Sequence, residues 1–414
     1  MVYFKYSELA DTYHVSPKTV YNWIEGARQG KNDLVLNEEK GKSYVAKTSS
    51  NMAIMESLAN YNKRYRNKIH HKIATPTLAF YDLYSRKQIL DIITNLDTHR
   101  EIPRQYNYFD GGAANWDKFA QHMWEENSPN LLRSTIELLH ANLGAIDLLL
   151  ENRDRVNVVD IGPGNGVPVK ELLEHLLELG KLHRYIAVDI SESMLRIAED
   201  NIRKWFGDKV KFEGYVKDIT YERFDDLLVD DMLAKDADKT INLALMLGAT
   251  PMNFQSPYDI MKVICKSLGH DDLLIYTDKP DTEAERASFE VNADPDPGAS
   301  ALSSKYSFIF DLLNIDESLY DVELGYNEKN RVRYIRVRLK VALTIQFKFK
   351  NGQRNVNLDK GETILLWRVW HQTALEIISE FEKTGFMLLQ SSMTKDRQYL
   401  LTISGVDTKL DAGS

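Results

Sequence analysis

Three glycines and three acids carry the clearest chemical spacing in this 414-residue chain. Gly162, Gly164 and Gly166 stand in the run Asp160-Ile161-Gly162-Pro163-Gly164-Asn165-Gly166, after an apolar stretch at 156–161 and before a helical pattern at 167–179. Glycine at such a turn lets the backbone take positive φ and brings amide groups close to a ligand. Asp189 closes a second apolar stretch at 185–190, where a carboxylate can accept hydrogen bonds from both hydroxyls of a ribose. Asp218 and Ile219 follow a third stretch at 210–216, where the acid can receive an adenine amino group and Ile219 can pack on the ring. A fourth stretch at 240–247 runs into Gly248-Ala249-Thr250, leaving an opening beside such a nucleoside. Each acid alone could cap a helix or face solvent. In this order, with Pro163 in the loop and Ile190 beyond Asp189, they read as one nucleoside site.

The third glycine, Gly166, comes one residue earlier than in the Gly-x-Gly-x-x-Gly loop of dinucleotide enzymes. With Asp160 leading, this spacing resembles S-adenosylmethionine (SAM) methyltransferases, so SAM is the expected cofactor and NAD the lesser alternative. A sulfonium is already a strong electrophile. An enzyme that uses it chiefly aligns a lone pair and excludes water, so no metal or covalent intermediate is required. An amine acceptor must arrive deprotonated, and the sequence singles out no residue as proton acceptor, leaving the catalytic assignment unknown.

Strands and helices alternate from 156 to 276, the pattern of a parallel doubly wound sheet with helices on both faces. After a loop expected at 292–301, alternating stretches at 332–349 predict antiparallel strands, and 386–392 with 398–403 predict a closing pair. The expected fold class is α/β: a class I SAM methyltransferase, Rossmann-like sheet with an additional antiparallel β subdomain on the substrate side and an N-terminal winged helix-turn-helix. Domain boundaries are expected at 1–47 for the winged segment, 48–104 for a helical connector led in by a polar linker at 48–51, and 105–405 for the methyltransferase domain. Within the last, about 285–365 forms the accessory part, and 406–414 is a tail.

The winged reading rests on residues 8–24. Leu9, Ala10, Tyr13, Val15, Val20, Trp23 and Ile24 would face one another across a short turn, Ser16 suits an N-cap and Pro17 the first helical position. His14 takes the turn position usually held by glycine. A hairpin around Gly41 supplies the wing, and the whole is similar to MerR-type regulators and phage excisionases. Residues 1–75 hold 12 Lys+Arg against 7 Asp+Glu, a balance of +5 that leaves −14 of the net −9 for the rest. Lys18, Tyr21, Asn22, Lys40 and Lys42 are the candidates for groove and phosphate contact, with Arg28 and Lys31 adding backbone contacts. DNA is thus an expected partner of the first segment. No membrane is expected, because no apolar run approaches roughly 18 residues. No secretory leader is visible, so the cytoplasm is expected, and a homodimer is compatible with the sequence. A single cysteine, Cys265, reads as a small core residue.

Three further stretches bear on the acceptor. Tyr108-Phe109-Asp110-Gly111-Gly112 precedes an aromatic helix, Leu247-Gly248-Ala249-Thr250-Pro251-Met252-Asn253-Phe254 follows the fourth strand, and Gly361-Glu362 stands ahead of a late helix. With the Asp160 loop and the closing strand pair they make residues 105–405 resemble the histidine Nα-methyltransferases of ergothioneine synthesis. The resemblance implies methyl transfer to the nitrogen of a small amino acid or related amine, with Gly248 and Asn253 at the substrate amine and carboxylate. Phe109 then falls where the family has an aromatic substrate contact with a hydroxyl. Trp367 and Val369 fall on its glutamate and serine that read the imidazole. A site that loses its polar readers loses that selectivity, and Trp367, Trp370 and His371 suit a larger or more apolar acceptor. Phe109, Asn253 and Trp367 are the expected substrate-binding residues. Two alternatives stand beside this reading. One is a SAM-responsive DNA-binding regulator without catalysis. The other is a nucleic-acid methyltransferase, against which Ser256-Pro257-Tyr258 lacks the second proline of an exocyclic-amine motif and Cys265 lacks a preceding proline.

Overall fold

A computed structural model describes residues 3–4, 6–13, 15–39, 42–69, 71–126, 129–233, 239–248, 250–251, 254–282 and 304–407. The chain divides into two compact units, residues 1–73 with 341–344, and residues 74–340 with 345–414.

In the first unit, helices α1 (Tyr6–Thr12) and α2 (Pro17–Arg28) meet across a short turn. Ser16 caps α2, its hydroxyl accepting from the Thr19 amide at 3.1 Å, and Pro17 opens the helix as its fixed φ favours. Strand β1 (Tyr3–Phe4) pairs with β3 (Lys42–Ala46), which also pairs antiparallel with β2 (Leu36–Glu39). Leu9, Ala10, Val20, Trp23, Ile24, Leu34, Val45 and Met55 form the core. Residues 48–51 are not a linker. Ser49 begins helix α3 (Ser49–Ile69), and fully buried Asn51 accepts from the Val35 amide and donates to the Val35 and Ala46 carbonyls. A buried polar side chain with three backbone partners fastens a chain segment where its composition suggested slack. His14, Lys40 and Gly41 lie outside the described residues.

Strand β4 (His71–Ala74) precedes the second unit's helices α4 (Leu78–Leu83), α5 (Arg86–Thr98), α6 (Gly111–Glu125), α7 (Leu131–Ala141) and α8 (Leu143–Leu149). There follow β5 (Arg155–Ile161), α9 (Lys170–Glu178), β6 (Leu182–Asp189), α10 (Glu192–Phe206), β7 (Phe212–Val216), α11 (Val229–Met232), β8 (Thr240–Met246), α12 (Pro257–Ser267) and β9 (Leu273–Asp278). Beyond these lie α13 (Ser304–Leu313), β10 (Tyr320–Asn327), β11 (Val332–Leu339), β12 (Ala342–Phe349), β13 (Gly352–Leu358), β14 (Thr363–Trp370), α14 (Ala374–Thr384), β15 (Phe386–Met393) and β16 (Leu400–Val406).

The main sheet runs β15-β16-β9-β8-β5-β6-β7, parallel from β9 to β7; β16 pairs antiparallel with β9 and β15 antiparallel with β16, so only β16 runs against the other strands. This is the Rossmann-like α/β sheet expected from the sequence. The central strands β5 and β8 are buried along almost their whole length, as parallel strands covered on both faces must be. One face packs on Leu138, Ile146, Leu172, Leu176 and Ile202, the other on Phe224, Ile260, Ile264, Ile377 and Phe381. A second sheet, β10-β11-β14, is wholly antiparallel. The segment expected at 332–349 is therefore split, since β11 pairs with β10 and β14 while β12 neighbours β13. The stretch after Gly361-Glu362 is strand β14, and the late helix expected beyond it is α14, which begins at Ala374. The expected loop at 292–301 lies outside the described residues.

Candidate active site

The parallel strands end on a cavity open to solvent on one side. Its walls are Ile161 and Gly162 after β5, Val188, Asp189 and Ile190 after β6, Lys217 to Thr220 after β7, Thr250 and Phe254 after β8, and Gln105 and Tyr108 from the segment before α6. Five residues singled out from the sequence thus meet on one surface: Gly162, Asp189, Ile190, Asp218 and Ile219.

The loop owes its shape to glycine. Gly162, Gly164 and Gly166 have φ of 68°, 59° and 75°, a region costly for residues with a Cβ. A Cβ at 162 would stand 2.7 Å from Thr250 Cγ2, and one at 164 would meet the Trp116 ring at 3.0 Å. Thr250 in turn donates to the Gly162 carbonyl at 3.1 Å, so the loop after β8 is fastened to the loop after β5. From α6, Asp117 accepts from the Asn165 amide group at 3.1 Å. Gly248 also has positive φ, 64°, and its amide donates to Thr277 Oγ1 at 2.7 Å. Pro163, Gly164, Gly166 and Gly248 shape these loops without lining the cavity wall.

Asp160 stands apart from the other acids. It is buried beneath the loop, where its carboxylate accepts from the Tyr185 hydroxyl at 2.9 Å. Burial, with a smaller push from the charge of Asp189, raises its pKa to about 7 against the pull of the Tyr185 hydrogen bond. Asp189 faces the cavity. Burial pushes its carboxyl up to about 7, opposed by the Ser191 and Ile190 amides, the former at 2.8 Å. Asp218 is likewise raised by burial and eased by Thr220, whose amide donates to it at 3.1 Å.

Phe109 does not face the cavity. Its ring packs edge-on against Tyr84 at 5.2 Å and near Tyr106 at 6.3 Å, in an aromatic core. The neighbouring side chain, Tyr108, lines the cavity instead, held there because its carbonyl accepts from Ser191 Oγ at 2.6 Å. Asp110 follows with φ 41° and ψ −115°, so the chain turns sharply between the two rings and helix α6. Gly112 is required by that turn, since a Cβ there would fall 2.0 Å from the Asn107 carbonyl. Trp367 lies on β14 beside Arg104, 5.5 Å from ring centroid to guanidinium carbon, so the structure places Phe109 and Trp367 in separate clusters. Asn253 lies outside the described residues. Sequence reasoning missed Gln105, Tyr108, Ile161, Val188, Lys217, Thr220, Thr250 and Phe254 as wall residues. Tyr108, Ile161, Val188, Thr250 and Phe254 lay inside stretches already singled out, and their signal was adjacency to the residues chosen.

In the first unit Lys18, Tyr21, Asn22, Arg28 and Lys31 are exposed, the first three on the side of α2 opposite buried Val20, Trp23 and Ile24. Arg28 is paired with Glu25 at 3.0 Å.

A family model described as histidine-specific methyltransferase, SAM-dependent, matches residues 86–405. The chain belongs to this family. It is a SAM-dependent methyltransferase, and the carboxylates and glycine loop around the cavity suit a nucleoside cofactor. No curated protein sequence matches it. Solved structures that it resembles include a SAM-dependent methyltransferase of Clostridium acetobutylicum, at 11% identity and TM-score 0.38 over 70% of this chain and 99% of that one. Another is magnesium protoporphyrin IX methyltransferase of Synechocystis, at 12% identity and TM-score 0.36 over 78% and 100%. A third is 1,6-didemethyltoxoflavin-N1-methyltransferase of Burkholderia thailandensis, at 15% and 0.34 over 74% and 90%. Among the described residues no group of side chains could hold a metal ion and no helix is long and apolar enough to cross a membrane.

Proposed function

We propose that this methyltransferase acts on the nitrogen of a small amino acid or related amine. The observation that carries the proposal is the shared wall: Thr250 and Phe254, from the loop after β8, line the same cavity as Asp189 and Asp218. An acceptor admitted along that loop stands beside the cofactor. In this reading Asp189 takes the ribose, Asp218 and Ile219 the adenine, and the loops around Asp160, Pro163, Gly164, Gly166 and Gly248 hold the backbone close. SAM supplies a methyl group already activated on sulfonium. The chain's contribution is to orient the acceptor lone pair and keep water out. Asn253 is the proposed acceptor contact by its place in the loop. Trp367 and Val369, standing where the resemblance puts polar readers of imidazole, point to an acceptor other than histidine. Methyl-labelled SAM offered with a panel of amino acids and amines tests this. Label on at least one member is expected, and no transfer to any of them by protein that still binds S-adenosylhomocysteine (SAH) would contradict it.

We further propose that the first unit is a winged helix-turn-helix that docks DNA through Lys18, Tyr21 and Asn22 on α2, Arg28 and Lys31 beyond them, and Lys40 and Lys42 of the wing. The exposed basic and polar face of α2 and the local balance of +5 support this. Lys18→Ala is expected to weaken duplex binding and to lower the slope of log affinity against log salt by about 1. Absence of salt-dependent binding by the full chain would end the idea. A SAH-dependent shift in DNA affinity would favour the regulatory alternative, and label transferred to DNA or RNA the nucleic-acid one.

A further inference from the structure

Tyr108 connects the cofactor cavity to a second chemical feature. Its hydroxyl accepts a hydrogen bond from Arg104 Nε at 2.7 Å. The guanidinium of Arg104 is ringed by Trp367, Tyr306 and Tyr108, whose centroids lie 5.5, 5.6 and 5.8 Å from its central carbon. Two anchors bring these parts together. The Leu365 amide donates to the Arg100 carbonyl at 2.8 Å and the Ile102 amide to the Leu365 carbonyl at 2.9 Å, so the chain leading to Arg104 runs along β14. At the other end Ser191 holds the Tyr108 carbonyl at the rim of the cavity.

Arg104 is half-buried, and among the described residues no carboxylate comes within ion-pairing distance of it. It keeps partial solvent access. A guanidinium carries five N–H donors in a fixed plane and keeps its charge at any physiological pH. Tyr108 receives one of these donors. Ring faces attract the cation but leave its in-plane donors without acceptors. Beside it, the Trp367 indole N–H is buried with no acceptor. Other arginines of this unit, such as Arg184 with Glu213 and Asp231, are neutralised by acids. An unneutralised planar cation, an orphaned donor next to it and a cavity one side chain away share one unmet requirement, a planar anion that can take paired hydrogen bonds.

We propose that Arg104 anchors a carboxylate carried by the methyl acceptor, so that the site selects acids over the matching amines or amides. This rests on the proposed methyl transfer to a small amino acid or related amine, and it gives the acceptor carboxylate, which the resemblance puts at Asn253, a contact on Arg104. Arg104 is a specificity residue in this role. It touches the acceptor away from the nitrogen that receives the methyl group.

The test uses the full chain loaded with SAH and titrated with matched pairs: amino acids against their decarboxylated amines, aspartate against asparagine, and glutamate against glutamine. At least one acid is expected to bind tenfold or more tightly than its uncharged partner. Arg104→Gln is expected to erase that ratio while leaving SAH affinity within twofold of wild type, and Arg104→Lys to restore part of it. The lysine variant also serves if the glutamine variant does not fold. Equal binding within every pair, or no binding of any acid, overturns the proposal. Loss of SAH affinity in step with acid affinity overturns it too, because Arg104 would then hold the cofactor's own carboxylate. Methyl transfer to uncharged amines as fast as to acids defeats this inference and leaves the proposed function standing. Acid binding without transfer to any acceptor defeats the proposed function and leaves the Arg104 site standing.

Discussion

Where β5, β6 and β7 end, the cavity wall is made of backbone turns and short acids. Gly162, Asp189, Asp218 and Ile219 are each placed within three residues of a strand terminus. On the Tyr108 side the wall is made of long side chains, Gln105, Tyr108 and behind them Arg104 and Trp367, carried by a turn and by a strand of a different sheet. The first region is dictated locally, by which residue follows which strand. The second exists only because distant segments, such as Ile102 and Leu365, bond to each other. A fold can therefore keep its cofactor chemistry while the acceptor side is rebuilt residue by residue.

Breaking the first region should have the largest effect. Gly162→Val places a branched side chain at φ 68° and against Thr250 at 2.7 Å, and SAH binding measured by calorimetry is expected to vanish while circular dichroism retains the α/β signature. Asp189→Asn keeps the shape and removes the charge that hydrogen bonds from ribose would strengthen. A loss on the order of 10- to 100-fold in SAH affinity is expected, the worth of hydrogen bonds to a charged group.

The same acid predicts a pH dependence. Burial holds the Asp189 carboxyl at about 7, and a ligand that donates to the carboxylate binds the ionised form. SAH affinity should thus fall as pH drops below 7, by up to about tenfold per unit, and the fall should disappear in Asp189→Asn. Folding stability runs the other way. Asp160 and Asp189 both have pKa values raised to about 7 from 3.8, so their contribution to stability of the ligand-free chain is fully present below about pH 4 and lost as pH rises to about 7. Thermal melts of ligand-free protein across that window, compared with Asp160→Asn, check the sign.

The acceptor side should respond more weakly to single changes. Tyr108→Phe removes the hydroxyl that receives Arg104 Nε, and a change of a few fold in the Michaelis constant of the acceptor is expected, with that of SAM unaltered. A change confined to SAM would show that the two regions are not separable in the way the structure suggests.

The cofactor side was legible because each of its residues sits at a fixed offset from an apolar run that forms a parallel strand. Glycines at 162, 164 and 166 needed positive φ for the same local reason. The acceptor side was not. Phe109 and Tyr108 are adjacent aromatics, and only the turn at Asp110 with the Ser191 anchor decides which of them faces the cavity. Trp367 lies where it does because residues 363–370 pair with β11 across a sequence separation that no local pattern records. The polar run at 48–51 misled for a related reason, since burial of Asn51 depends on carbonyls and an amide of strands and loops that precede it.

The most direct measurement is a crystal structure of the full chain with SAH bound. The account predicts the ribose hydroxyls on the Asp189 carboxylate, the adenine against Ile219 with Asp218 at its amino group, and the sulfur directed toward Thr250 and Phe254. SAH bound elsewhere, or in this cavity with Asp189 and Asp218 making no contact to it, would contradict the account.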